Sequence, residues 1–183
     1  MKAAAGLAPL FASPAAGFAQ PFEMMQACHE RVQRMLGLLG RLRIHLAQHG
    51  ADAQARQAAR DVMRYFDMAA PQHHRDEELH VFPPLMAHGD AATRALVARL
   101  QHDHVQMESD WRAARAGLAR IEAAQCLALS AADTAALEAF ARLYDGHIEA
   151  EEAIAYPAAA ALLDDAAREA AGAEMRIRRG AAG

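Results

Sequence analysis

The stretch HHRDEELHVFP, which runs from His73 to Pro83, places two histidines four residues ahead of two glutamates. Residues four apart lie on the same face of an α-helix, so a helix here would stack an imidazole over a carboxylate twice. Imidazole and carboxylate groups, without a thiolate, are suitable ligands for iron, manganese or zinc. The stretch is therefore a candidate metal-binding segment if further ligands reach it from elsewhere in the chain.

Further histidines and glutamates occupy places where an apolar helical pattern calls for an apolar residue. His29 follows Met25 at such a place, and His147 follows Tyr144. The full set on apolar faces is His29, His73, Glu77, His104, His147 and Glu151. Burying a polar or charged group without a partner is costly, so these side chains need partners. A purely hydrogen-bonded polar layer is one account of the set, and a metal site is the better one.

Four blocks of apolar residues at three- and four-residue steps predict the helices that would carry this set. Asp52, Asp90 and Ser130 precede the second, third and fourth blocks and are the predicted helix N-caps. The fourth helix is predicted to place Ile154 on its apolar face. Short connections favour antiparallel neighbours. The predicted fold is all-α, an up-down-up-down antiparallel four-helix bundle over residues 21–165, with an N-terminal arm (1–20) and a short C-terminal tail (166–183).

The six polar residues are expected to meet at one level of such a bundle. His29 and His73 each lie about 19 residues from the loop between the first two helices, which is about the same height at 1.5 Å per residue. His104 and Glu151 lie about equally far from the loop between the third and fourth helices. Four imidazoles and two carboxylates exceed the needs of one ion. They fit two ions bridged by carboxylate oxygens, a known use of bundle cores.

Composition and charge limit the partners. The 183 residues are 54% apolar and only 5% aromatic, with a net charge of −4, so there is no basic excess for nucleic acid. No apolar run is long enough to span a bilayer, so no membrane association is expected. Cys28 and Cys126 match no thiolate metal motif and are expected to be reduced. Pro9 and Pro14 interrupt residues 1–20, which favours the arm of a cytoplasmic protein over a secretory signal.

The segments HHRDEELHVFP and HIEAEEAIAYP resemble the paired H-x3-E motifs of hemerythrin-like, or HHE cation-binding, proteins. The resemblance extends to ACHERV around His29 and LQHDHVQM around His104, and covers about residues 20 to 160. It implies a non-heme di-iron centre with two iron ions. The implied terminal ligands are His29, His73, His104 and His147, and the implied bridging carboxylates are Glu77 and Glu151.

Two departures from the oxygen-carrying members stand out. Those members have two histidines four apart on the third helix, whereas Glu108 follows His104 at that spacing here. The carboxylate of the fourth helix is Glu151 where the oxygen carriers use aspartate. Both departures resemble the broader bacterial HHE proteins, whose roles are more varied. As a fifth histidine ligand we predict His74, only about 100° around the helix from His73, rather than His102, which is offset from His104 by about 200°.

The other polar residues of these segments are assigned to the surface. They are His45, His49, His80, His88, His102, Glu78, Glu149 and Glu152. Arg176, Arg178 and Arg179 are interpreted as a cation cluster at a helix end. Tyr144 and Tyr156 flank the fourth motif and either pack in the core or hydrogen-bond to a ligand.

Three functions of different class follow from this site. The first is a cytoplasmic di-iron protein that binds dioxygen or another small diatomic for sensing, storage or iron handling. The second is an enzyme that uses the same centre to reduce nitric oxide or peroxide, or that supports repair of damaged iron centres. The third is a structural bundle stabilised by zinc.

Overall fold

A bundle of helices makes up the structure, a computed structural model that describes residues 17–180. Two π-helical turns, Glu77–Val81 and Glu151–Ala155, connect α2 to α3 and α5 to α6. The helices are α1 (Pro21–His49), α2 (Ala53–Asp76), α3 (Phe82–His88), α4 (Ala91–Glu122), α5 (Ala131–Ala150), α6 (Tyr156–Leu162) and α7 (Asp165–Arg178). Residues 17–180 contain no strand. The predicted all-α class is confirmed, and most of the predicted N-terminal arm lies outside the described residues.

The predicted N-caps start the helices as expected. The side chains of Asp52 and Asp90 each accept a hydrogen bond of 2.8 Å from the backbone N–H three residues on. Ser130 forms a reciprocal capping box with Asp133. Gly50, with a φ of +70°, ends α1 in a conformation that glycine adopts without steric cost. Local sequence signals therefore define these helix ends.

The four long helices pack around a core that consists of two apolar clusters. Helix α1 packs on α2, α2 on α4, α4 on α5, and α5 on α1. The large cluster includes Val32, Leu39, Phe66, Trp111 and Phe140. The small cluster includes Met25, Phe82, Leu85, Leu100 and Tyr156. In α1 and α4 the buried histidine lies between residues of the two clusters, and in α2 and α5 it lies near the C-terminal end of the helix, shortly before residues of the small cluster. The polar residues therefore form one layer across the bundle.

A π-helical turn follows each H-x3-E motif. The backbone N–H of Phe82 donates to the carbonyl of Glu77, five residues earlier, and that of Tyr156 donates to Glu151. A proline comes next in both cases, and a proline ring clashes with the carbonyl four residues before it in a regular α-helix. The wider turn accommodates that clash, and such turns are frequent at functional sites.

The second π turn corrects the predicted apolar face of the fourth helix. Ile154, predicted to be buried, is 52% exposed, and Ala155 and Tyr156 are buried instead. The extra residue in the turn rotates everything after Glu151 relative to a regular 3.6-residue repeat. The helix itself was predicted correctly. The exposure of Ile154 was missed because the helical period changes after Glu151.

Within the predicted C-terminal tail, the residues up to Arg178 form α7. Asp164 caps this helix by accepting from the backbone of Ala167 at 2.8 Å. The helix packs closely on the start of the bundle, because a Cβ on Gly172 would lie only 1.9 Å from the carbonyl oxygen of Phe18. Among the described residues, no helix has both the length and the hydropathy needed to cross a membrane.

Candidate metal centre

Two groups of four buried side chains meet in the polar layer. One group contains His29 and His73, the other contains His104 and His147, and both share Glu77 and Glu151. The potential ligand atoms within each group lie within 4.8 Å of one another. Six of the seven predicted ligands are thereby brought together. Because the two groups share the carboxylates and nothing else, the arrangement has two adjacent places for a cation.

The two shared carboxylates each direct one oxygen towards each histidine pair. Oε1 of Glu77 lies 3.2 Å from Nε2 of His73, and its Oε2 lies 3.3 Å from Nε2 of His104. Oε2 of Glu151 lies 3.2 Å from Nε2 of His29, and its Oε1 lies 3.0 Å from Nε2 of His147. Either carboxylate could therefore supply one oxygen to a cation held by each histidine pair.

Buried atoms without hydrogen-bond partners indicate that a cation fits here. Oε2 of Glu77 and both carboxylate oxygens of Glu151 are buried and accept no hydrogen bond among the described residues. Nε2 of His104 lies 3.2 Å from Nε2 of His147, so two ring nitrogens point at one spot. Buried polar atoms are nearly always satisfied. A metal ion in each group would satisfy these oxygen and nitrogen atoms.

The outer ring nitrogens of three of the four histidines are held by carboxylates. Nδ1 of His29 lies 2.9 Å from Glu152, Nδ1 of His104 lies 3.3 Å from Glu78, and Nδ1 of His147 lies 3.3 Å from Asp103. Histidines that bind metals usually donate their other N–H in this way, which orients the ring. The fourth, His73, has no partner for Nδ1 among the described residues.

These carboxylates correct part of the surface assignment. Glu78 and Glu152 are partly exposed, but both hold a histidine of the centre. Helical spacing directs them away from the apolar face, and it does not reveal a bond to a neighbouring helix. Asp103 was not singled out from the sequence, because an aspartate next to a histidine on an exposed helix is common and carries no specific signal.

The pKa values of the histidines show that the carboxylates of the centre favour a nearby positive charge. Burial lowers the pKa of His29, but the adjacent carboxylates of Glu151 and Glu77 outweigh it and raise the pKa to about 10. Burial also lowers the pKa of His104, but the adjacent carboxylates of Glu77 and Glu78 outweigh it and raise the pKa to about 9. Burial lowers the pKa of His73 to about 3. Without a metal, protons on two imidazoles supply the positive charge that the carboxylates require.

Tyr156 extends the centre with a hydroxyl group. Its hydroxyl donates to Oε1 of Glu77 and lies 3.2 Å from Nε2 of His29. Its ring stacks on the His29 imidazole with centroids 5.5 Å apart. The hydrogen-bonding role considered for Tyr156 is therefore the observed one. For Tyr144, no hydrogen bond is found among the described residues, so its contacts there are those of core packing.

His74 lies beside the centre rather than in either group of ligand atoms. Its ring is half-buried and stacks on His104, with centroids 4.0 Å apart and an interplanar angle of 11°. His74 as a ligand stays a prediction. None of the histidines assigned to the surface belongs to a metal-capable cluster within residues 17–180, although His80 is only 17% exposed and pairs with Glu174.

Comparison with known proteins agrees with this geometry. The family model described as hemerythrin HHE cation binding domain matches residues 20–159. An uncharacterized protein of Haemophilus influenzae is 32% identical over 133 residues, which cover 73% of this chain and 75% of that protein. The family match spans well over half of the chain and contains all six clustered residues. The chain belongs to the hemerythrin HHE cation-binding family.

Proposed function

We propose that this chain is a non-heme di-iron protein that binds dioxygen or another small diatomic molecule, for sensing, storage or iron handling. The observation that carries the proposal is the sharing of Glu77 and Glu151 by two histidine pairs. Shared carboxylates place two ions close together, and the nitrogen and oxygen donor set without thiolate suits iron. Two bound iron ions would supply reversible redox chemistry towards a diatomic ligand.

The residues of the chain have distinct tasks in this proposal. The four histidines would each offer Nε2 to an ion, and the two glutamates would be shared by the two histidine pairs. Glu152, Glu78 and Asp103 fix the orientation of three imidazoles, and Tyr156 fixes one oxygen of Glu77. The two apolar clusters exclude water from the layer above and below.

A second candidate function is turnover of nitric oxide or peroxide at the same centre. Each ion would receive two imidazoles and two shared carboxylate oxygens, and Glu108, where the oxygen carriers have a histidine, is exposed and pairs with Arg112 at 2.5 Å. An ion with fewer protein ligands than in the oxygen carriers has more coordination positions free for small molecules. Steady-state consumption of peroxide or nitric oxide by the iron-loaded protein would favour this function over simple binding.

We also infer the up-down-up-down order of the long helices and a cytoplasmic location. The order is supported by the core: along the chain, α1 and α4 pass from the small cluster to the large one, whereas α2 and α5 lie mainly in the large cluster and lead into α3 and α6, which lie in the small one. The cytoplasmic location is carried over from the sequence prediction.

Anaerobic loading with ferrous iron, followed by air, tests the function. We expect about two irons per chain by elemental analysis and new near-ultraviolet absorption from an oxygen-bridged ferric pair. Glu77→Ala and Glu151→Ala should each lower the iron content and the thermal stability together, because metal binding contributes to folding free energy. Glu149→Ala, an exposed neighbour on α5, is the matched control. Full iron content in both bridging variants, or exclusive uptake of zinc, would contradict the proposal.

A further inference from the structure

A cavity of about 400 Å³ lies between α2 and α4, beside the His104 side of the metal centre. Its inner wall includes Phe66, Met107, Trp111, Phe140 and Tyr144. Cavities of this size typically bind small organic molecules, and a diatomic would leave most of this one unfilled. The cavity is thus large enough to bind a molecule other than the diatomic ligand of the proposed function.

Aromatic rings dominate the inner wall. The chain has ten aromatic residues of the Phe, Tyr and Trp types, and four of them line this one cavity. Phe66 contacts Trp111, Phe140 and Tyr144, with ring centroids 5.1, 4.9 and 5.9 Å away. Rings that pack on one another in this way form a preorganised surface, and such surfaces favour planar aromatic ligands.

The charges at the rim argue for a neutral ligand. Arg75 lies 3.8 Å from Glu78, and Glu108 pairs with Arg112 at 2.5 Å. Each charged group at the rim already has a partner of opposite sign, so the rim has no surplus charge for an ionic ligand. Two polar groups remain in the wall: the Tyr144 hydroxyl and the His74 ring nitrogens, for which no hydrogen bond exists within the described part of the chain.

We propose that this cavity binds a neutral, planar aromatic molecule of one or two rings that carries a hydroxyl or carbonyl oxygen. The ligand rings pack against the aromatic wall, where Trp111 is the most accessible ring, and the ligand oxygen hydrogen-bonds to Tyr144 or His74. Binding of this ligand rests on the cavity alone and does not require the metal.

The cavity wall also contacts the metal centre, which links binding to the proposed function. His74 lines the cavity and stacks on His104, and Glu78 lines the cavity and accepts from Nδ1 of His104 at 3.3 Å. A bound molecule therefore contacts the two side chains that hold one histidine of the centre. This coupling, unlike the binding itself, rests on the proposed di-iron function.

Trp111 is the single tryptophan of the chain and lies in the wall, so its fluorescence reports on the cavity. The metal-free protein is titrated with 2-naphthol, followed by Trp111 emission and by calorimetry. Naphthalene-2-sulfonate and the saturated, non-planar alcohol 2-decalol serve as comparison ligands. We expect one 2-naphthol per chain and binding at least about tenfold weaker for either comparison ligand.

Two variants test whether 2-naphthol binds in the cavity or elsewhere on the protein. Ala70→Leu fills the wall and should weaken 2-naphthol binding by about tenfold or more, whereas Ala69→Leu, its exposed neighbour outside the cavity, is the matched control. Tyr144→Phe removes only the hydroxyl and should weaken binding about three- to tenfold. No saturable binding up to about 1 mM, or equal binding by the Ala70 and Ala69 variants, would overturn the proposal.

The coupling has its own measurement. In the iron-loaded protein, saturating 2-naphthol should shift the near-ultraviolet and visible absorption of the centre, and unchanged bands would refute the coupling. Failure to load iron would contradict the proposed function and leave the result in the metal-free protein standing. The two proposals can therefore fail separately.

Discussion

Asp76 is a buried charged residue outside the metal centre, and its carboxylate needs partners of opposite charge. It is fully buried, directly precedes Glu77, and pairs with Arg178, the last residue of α7, at 2.5 Å and with Arg179, the C-cap of that helix, at 2.9 Å. Arg178→Ala, Arg179→Ala and the double variant remove its partners one at a time. A buried carboxylate that loses all its partners becomes an uncompensated charge in a dry environment.

The expected losses follow from this arrangement. Each single variant leaves one guanidinium on Asp76, so we expect a loss of about 1–2 kcal/mol in the free energy of unfolding. The double variant leaves the carboxylate unpaired, and we expect about 3–5 kcal/mol. The double loss should exceed the sum of the single losses by about 1 kcal/mol, because either arginine alone suppresses most of the cost.

Urea unfolding of the metal-free protein, followed by circular dichroism, measures these losses without a contribution from bound metal. Arg176→Ala is the control, because Arg176 is exposed on the same helix turn. Adding Asp76→Asn to the double arginine variant should recover part of the stability by removing the charge. Additive losses, or a double variant within about 1 kcal/mol of the parent, would refute the view that α7 neutralises Asp76.

The remaining predictions concern the metal centre. Tyr156→Phe should keep two irons per chain but lose about 1.5–3 kcal/mol of stability, measured by urea unfolding of the metal-free protein, because a hydrogen bond to a charged glutamate disappears. His74→Ala should lower the iron content or alter the visible spectrum while His102→Ala stays silent, and the reverse result would move the extra ligand to α4. Metal uptake at pH 7.5 should release about two protons per chain, because the pKa values of His29 and His104 are raised to about 10 and about 9 and both must deprotonate to bind metal. Calorimetry in buffers of different ionisation enthalpy measures this release, which should shrink as the pH rises above 9.

The clustered residues are predictable from the sequence because the stretches that carry them are regular helices. From His73 to Glu77, and from His147 to Glu151, the chain keeps the four-residue spacing that places both groups on one face. The helix ends were also predictable, because Asp52 and its counterparts are local signals that act within three residues. The height of each ligand in the bundle then follows from the rise per residue alone.

Features that depend on other helices were not predictable in the same way. The bonds from Glu78 to His104 and from Glu152 to His29 join different helices, and nothing in the local sequence marks them. The charge cluster of Asp76 with α7 joins residues more than 100 positions apart. The exposure of Ile154 results from a π turn, which shifts the helical period without changing the composition of the helix.

The two H-x3-E motifs are followed by the same order of features but differ in the aromatic residue before the proline, and this difference makes the surroundings of the two histidine pairs unequal. In both motifs a π turn follows the glutamate, and an aromatic residue and a proline come next. The aromatic residue is Phe82 in the first motif, near His104, and Tyr156 in the second, stacked on His29. The His29 side is thus covered by a hydroxyl that already binds Glu77, whereas the His104 side adjoins the cavity. A molecule that approaches from solvent therefore meets the centre on the His104 side, and we expect ligand exchange to occur there.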